Sequence, residues 1–534
     1  MAKSHLVQMI RRTFQVAKQA SLHSSYDKSE IIQQAYQSGI NRRKFLGNTI
    51  KGAALLAFGS SLLESCAKDD LNDNKLIIPN SSNGPKIAII GAGIAGLNCA
   101  YQLKKAGYMA NIYEASSRHG GRMFTGHSII APGISTDLGG EFVDSNHKHL
   151  LDLVAEFGIN LIDRTDSLSN GLEKEVYFFN NTFYTEADVI AALAPVALTI
   201  QADIDSLPDT ITADEPGSAM HLDNISLEQY ISGLNCAAWL KELLTVAYVT
   251  EYGREAGDQS CINMLFLLSV DTSNGFEMYG SSNERYKIAG GSQSVPNKLA
   301  QVLNPHVHYE NSLVQVSRKN SGKYNLSFAK QGSATLDVVA DIVVFALPFT
   351  TLRDVTFTFP LPSWKRHAIN HLGYGTNAKL ITGYNTRHWQ TLGKAGEAFT
   401  DQAFQIGWDS SELQNTKAGA YSFFMGGKAG LDLGNGTEQF QYDQLKGGLE
   451  KVFPGIGAHH NGNIKRAHWP SNPFSKAAYA CYTPGQWTTI AGNERKTVDS
   501  LYFCGEHCSI NFQGFMNGGA ETGYKTAQKI IASL

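Results

Sequence analysis

The sequence carries little net charge: its 534 residues sum to −3, and only 17% are charged. It therefore lacks the basic field that attracts nucleic acid, and its short charge runs read as solvated surface. Cysteine is scarce too. The seven present include no C-x-x-C pair and no framework spacing, so all but Cys66, taken up below, are expected to be buried thiols. There is no G-x-S-x-G elbow, no phosphate-binding G-x-x-x-x-G-K and no evident internal repeat. His147 and His149 form an H-x-H, but residues two apart share no helical face and no third ligand has suitable spacing, so no metal site is expected. What the chain does have is 43% hydrophobic residues, enough to bury the cores of two or three soluble domains.

The N-terminal part reads as an address. Arg42-Arg43 precedes Phe45-Leu46 and the apolar segment GNTIKGAALLAFGSSLL, whereas the second pair, Arg11-Arg12, is followed by polar residues. Segment 47–63 contains Lys51 and falls short of the roughly 20 apolar residues of a spanning helix, which suits a signal sequence. Leu63-Glu64-Ser65-Cys66 resembles a bacterial lipobox, with Glu64 atypical, and Arg42-Arg43 resembles a twin-arginine signal. The expectation is a signal over 1–66, export by the twin-arginine route, and a periplasmic or outer-membrane protein whose one membrane contact is a lipid on Cys66. Residues 67–85, rich in Asn, Asp, Ser and Pro, read as a linker.

Folded structure is expected from Lys86. The run KIAII has the composition of a buried strand and leads directly into Gly91, Gly93 and Gly96 of a G-x-G-x-x-G, then into a stretch with helical spacing at Leu97, Ala100, Tyr101 and Leu103. A second strand, ANIYEA, ends at Glu114. Strand, glycine turn, helix and acid together read as a dinucleotide site. The glycines admit a pyrophosphate, the helix N-terminus offers unpaired N–H groups, and Glu114 accepts the ribose hydroxyls.

The residues after Glu114 resemble the second fingerprint of two-dinucleotide-binding flavoproteins of the amine oxidase family: Arg118, Gly121 and Arg122 in SSRHGGRMFT. The resemblance continues through Gly139, Gly140 and Glu141 in STDLGGEFVDSNH, through SNERYKIAGGSQS, through YGTNAKLITGY, and through the C-terminal CGEHCSINFQGFMNGGAETGY. It implies an α/β fold in which a Rossmann-like FAD-binding domain, 85–150, 281–358 and 474–534, is interleaved with an α+β substrate-binding domain, 151–280 and 359–473. By the same resemblance the backbone of Val314 meets the adenine, Gly505 and Glu506 precede the flavin ribitol, and the helix opening near Met516 directs its positive end at the flavin.

Carried over in the same way, Lys379 holds a water at the flavin, and Tyr479 and Phe515 face each other as a cage for the amine. Phe515 stands where a Tyr is usual, and Ala478 where some relatives attach FAD through cysteine, so FAD is expected to be non-covalent. The implied reaction is oxidative deamination of an amine, with oxygen as acceptor and hydrogen peroxide as product. An L-amino-acid oxidase or tryptophan monooxygenase-like activity is the alternative, with Arg254 one candidate partner for a substrate carboxylate. A flavin- or ligand-binding surface lipoprotein without turnover is the alternative of another class.

Overall fold

The computed structural model describes residues 84–165, 171–268, 282–330 and 333–534. Arg42-Arg43, Cys66 and all of the linker except its last two residues lie outside them.

The strand Ile87–Ile90 is buried along its whole length, as a parallel strand covered on both faces must be. It pairs in parallel with Ala110–Tyr113 on one side and Ile342–Phe345 on the other. Val307–His308 and Leu501–Phe503 complete a five-stranded sheet with Ile87–Ile90 at its centre. The helices Ile94–Lys105 and Met516–Ser533 pack closely because Gly519 and Gly523 present bare backbone. A Cβ on Gly523 would come within 2.2 Å of Ala95 O, and one on Gly519 within 2.7 Å of Ile94 Cγ2. Asn98 Nδ2 donates to Ala520 O at 2.7 Å across the same contact. A four-stranded sheet holding Asn311–Arg318 lies beside this unit, with Leu313 packed in a core shared with Ile90 and Val343.

A seven-stranded sheet forms the second half, running in order from His460–His468 through Ala378–Tyr384, Gly419–Met425, Ile406–Asp409, Lys394–Thr400 and Glu173–Phe179 to Thr182–Tyr184. Its interior strands Ala378–Tyr384 and Gly419–Met425 are buried throughout. Helices Glu186–Leu193, Ala197–Ser206, Ala238–Tyr252 and Cys261–Leu268 share one core with Phe399, Trp408 and Phe424 of this sheet. The fold is α/β, and each half is assembled from segments far apart in sequence.

Two of the expected boundaries shift. The cut at 150/151 falls inside the helix Lys148–Glu156, whose Leu150, Leu153 and Val154 pack in the same core as Ile87 and Leu97. Leu161–Asp163 also pairs with Tyr286–Ile288, so the cofactor-side half continues at least to Asp163. The cut at 358/359 is early: Ala368 and Ile369 of the helix Ser363–His371 join the core of Ile90 and Phe345. The sequence pattern shows where these elements are but not which sheet they cover.

Candidate functional site

A cavity of about 470 Å³ opens where the two uncapped helix N-termini, at Gly93 and Phe515, converge. Neither N-cap side chain satisfies the first N–H groups, which leaves them for an anionic ligand. The three glycines of the turn are required for three different reasons. Gly91 adopts φ +105, and a Cβ there would strike Ala346 O at 2.8 Å; at Gly96 a Cβ would meet Gly91 O at 2.1 Å. Gly93 has nothing within 4 Å of the Cβ position, so this glycine clears space for a ligand rather than for the protein.

Glu114 lines one part of the cavity. Its Oε2 accepts from Ala92 N at 2.8 Å, and its Oε1 accepts from Ser116 N at 2.9 Å and Ser116 Oγ at 2.7 Å. Arg118 donates to Gly121 O at 2.7 Å and stacks its guanidinium on Phe124 at 4.2 Å. Arg122 pairs with Glu506 Oε1 at 2.8 Å, and Glu506 Oε2 accepts from Gly514 N at 2.9 Å. Arg122 Nη1 also donates to Ala478 O. This network joins the second fingerprint to the C-terminal loop in one frame. Behind it His507 is buried against Phe349, with both ring nitrogens lacking partners; burial, more than any neighbouring charge, brings its pKa down to about 4.

Gly91, Gly93, Glu114, Arg118, Gly121, Arg122, Gly505, Glu506, Phe515 and Met516 all line the cavity, whereas Gly139, Gly140, Glu141, Val314, Lys379 and Tyr479 stand outside its wall. Gly139 and Gly140 support Arg122: a Cβ on Gly139 would lie 1.8 Å from Arg122 O, and Gly140 N donates to that oxygen at 3.1 Å. Val314 sits on a bulge where the ladder passes from Leu313 to Gln315. That leaves its main chain outside the strand register, on the strand whose first residue, Asn311, donates to Glu114 O at 2.8 Å.

Lys379 is buried on the strand Ala378–Tyr384. Its Nζ donates to Asp137 O at 2.9 Å, Gly139 O at 3.1 Å and Glu141 Oε2 at 2.8 Å. All three N–H bonds therefore point at protein acceptors, and a water on this lysine must displace one of them. Glu141 Oε1 accepts Lys287 Nζ at 2.9 Å. Burial pushes the Glu141 pKa upward, but Lys287 and Lys379 outweigh it and bring it down to about 2.

Tyr479 packs against Gly514, the residue before Phe515, where a Cβ would be 3.3 Å from Tyr479 Cδ2. The Tyr479 hydroxyl donates to Glu251 O at the end of helix Ala238–Tyr252. Phe515 meets the His147 ring edge-on at 4.8 Å. Arg254 turns its Nε to Asp258 O and its Nη1 to Tyr374 O, both at 3.2 Å. Five of the six described cysteines are buried free thiols and Cys236 is half-buried; Ala478 occupies a fully buried position.

Sequence reasoning missed the wall formed by Trp469, Asn472, Phe474 and Ser475. The signal was a tryptophan in the proline-interrupted stretch WPSNPFS, which ends the outer strand His460–His468. Trp469 Nε1 donates to Leu138 O at 3.2 Å, and its ring abuts Gly139.

The residues fit FAD: an open glycine, two uncapped helix N-termini, an acid and two arginines share one cavity, and the buried Asn517 Nδ2 lacks a partner beside it. The comparisons agree. The sequence profile described as flavin containing amine oxidoreductase matches residues 94–531. Curated relatives include an L-amino-acid oxidase of Daboia russelii, 23% identical over 88% of this chain and 94% of the relative. Amine oxidase [flavin-containing] B of Homo sapiens is 22% identical over 85% and 87%, and an L-amino acid dehydrogenase of Synechocystis sp. is 23% identical over 88% and 99%. Among solved structures, a putrescine oxidase variant superposes with TM-score 0.72 at 21% identity, and cyclohexylamine oxidase from Brevibacterium oxydans with 0.72 at 19%. Each alignment covers 84% of this chain and 99% of the other.

Proposed function

Because this chain belongs to the family of flavin-containing amine oxidoreductases and is an FAD-dependent enzyme that oxidises amines, we propose that it deaminates a plain amine rather than an L-amino acid. The cavity that brings the glycine turn, Arg122–Glu506 and Phe515 together carries the flavin chemistry, and the engagement of Arg254 carries the choice of amine. Two of Arg254's donor groups are held by main-chain carbonyls, which counts against this residue as the receptor for a substrate carboxylate.

Bound FAD supplies a two-electron acceptor, so the amine leaves as an imine that water hydrolyses to a carbonyl compound and ammonia, with oxygen reduced to hydrogen peroxide. The chain's own residues do the rest. Gly91, Gly93 and Glu114, which line the cavity, would hold the adenosine end, with the main chain of Val314 on the adjoining strand, and the helix starting at Met516 would offer unpaired N–H groups to the other end. Lys379 and Lys287 place two buried ammonium groups on one carboxylate, and buried cations favour the electron-rich state of a neighbouring group. Phe515 and Tyr479 provide apolar walls that exclude water and orient the amine carbon. A panel of amines and L-amino acids with a peroxide readout tests this: turnover of amines supports it, and turnover restricted to amino acids overturns it.

For delivery we propose the twin-arginine route, which carries folded proteins and so suits a chain that must fold around FAD before export. The pair Arg42-Arg43 with its apolar sequel supports this. Replacing both by Lys should retain FAD-loaded protein in the cytoplasm, and unimpaired export would overturn the proposal.

A further inference from the structure

The chain's second H-x-H, His306-Val307-His308, lies where the objection to the first does not hold. Residues two apart share no helical face, but they do share one face of a strand. His308 belongs to the edge strand Val307–His308, which pairs in parallel with Ala110–Tyr113 in the register Val307↔Ile112 and His308↔Tyr113. Ile112 N donates to His306 O at 2.9 Å, so the pairing continues back to His306. Alternation therefore puts both histidines on the face that carries Asn111 and Tyr113.

On that face the side chains converge. His306 Nδ1 lies 3.3 Å and His308 Nε2 3.1 Å from one atom, Asn111 Oδ1. Tyr113 stacks on the His308 ring at 5.1 Å with the planes 27° apart, which fixes the direction of Nε2. Both histidines are half-buried and Asn111 is exposed, so the cluster is held by the sheet on one side and open on the other. Two nitrogens and an oxygen at these separations match the spacing of ligands on one ion. At about 2.1 Å from a metal, neighbouring ligands stand about 3.0 Å apart in an octahedral set and about 3.4 Å apart in a tetrahedral one. The pair His388 and His459 also stacks, at 4.4 Å, but His388 turns its Nε2 to Pro454 O and its Nδ1 to Thr391 Oγ1, and nothing converges there.

We propose that His306, His308 and Asn111 form a site for a divalent metal ion of the Zn²⁺, Ni²⁺ or Cu²⁺ kind, with water on the open side. Imidazole nitrogen suits these ions, whereas Mg²⁺ and Ca²⁺ take oxygen ligands. Without an ion the two rings share one acceptor. Moving each ring proton to its other nitrogen turns both lone pairs inward, and each histidine then binds as the neutral ligand a metal requires. The ion ties the edge strand to its neighbour at the end where Glu114 sits. Glu114 N donates to His308 O at 2.9 Å, so the clip steadies a residue that lines the cofactor cavity.

The test uses tag-free, FAD-loaded protein above the ordinary histidine pKa of about 6.5. Because His367 and His371, stacked at 4.6 Å on the helix Ser363–His371, present two more imidazoles, zinc calorimetry is read as a difference. The wild type should bind one more equivalent of Zn²⁺ than His306→Ala or His308→Ala, and the double variant should lose no second equivalent. Mg²⁺ should not bind. Asn111→Asp, with a charged oxygen at the same place, should tighten the site about tenfold, and this gain judges the site even if an alanine variant folds poorly. By hydrogen exchange, Zn²⁺ should slow the amides of Ile112 and Glu114 roughly tenfold in the wild type and leave them unchanged in His308→Ala. Equal zinc stoichiometry in the wild type and the histidine variants, no tightening in Asn111→Asp, or no slowing of those two amides overturns the proposal.

Discussion

Lys379 Nζ and Glu141 Oε2 form an ion pair of 2.8 Å in which both side chains are almost fully buried, and Lys287 closes on the other carboxylate oxygen at 2.9 Å. A lysine taken from the sequence as a catalytic group is thus also a structural cation, tied to the Gly139 turn that supports Arg122. Removing the carboxylate leaves two ammonium groups buried together. Glu141→Gln should therefore cost about 3–5 kcal/mol of stability at neutral pH, read as a lowered urea midpoint. An unchanged midpoint contradicts the arrangement.

The same pair sets an acid limit. The Glu141 pKa lies at about 2, below its ordinary 4.5. A depressed carboxylate stabilises the fold fully above its unfolded pKa and loses that contribution as pH falls toward the folded one. Stability worth about 3 kcal/mol should therefore disappear between pH 4.5 and 2 in the wild type. Glu141→Gln should lack this part of the slope, which urea titrations across that range will show.

Lys379→Met separates the two halves of turnover. With the positive charge reduced, reoxidation of the reduced enzyme by oxygen should slow on the order of tenfold to a hundredfold, more than anaerobic reduction by amine slows. Stopped-flow measurement of both half-reactions decides, and equal rates in wild type and variant would assign Lys379 a structural role alone.

For the aromatic pair, Tyr479→Ala should depress anaerobic reduction by about a hundredfold, because a displacement near 1 Å is enough for that loss, while the FAD content stays constant. Phe515→Tyr should retain activity and alter substrate preference. Full activity in Tyr479→Ala would remove the tyrosine from the substrate wall.

Much of the cofactor half was legible because its chemistry is local. Gly91, Gly93, Gly96 and Glu114 sit within one strand–turn–helix–strand unit, and each residue's role follows from backbone clearance or a carboxylate's reach. The substrate half was not, because it depends on long-range packing. No spacing rule reveals that Glu141 lies between lysines 146 and 238 residues away in sequence (287 − 141 and 379 − 141). Nor does any rule assign helix Lys148–Glu156 to the core beneath the C-terminal helix.

One measurement tests amine oxidation by this protein most directly. FAD-loaded protein, mixed anaerobically with an amine, should lose its oxidised flavin absorbance in a single turnover, and admitting oxygen should restore the absorbance with one equivalent of hydrogen peroxide. A flavin spectrum that no amine in the panel bleaches, on protein shown to be folded and fully loaded with FAD, would contradict it.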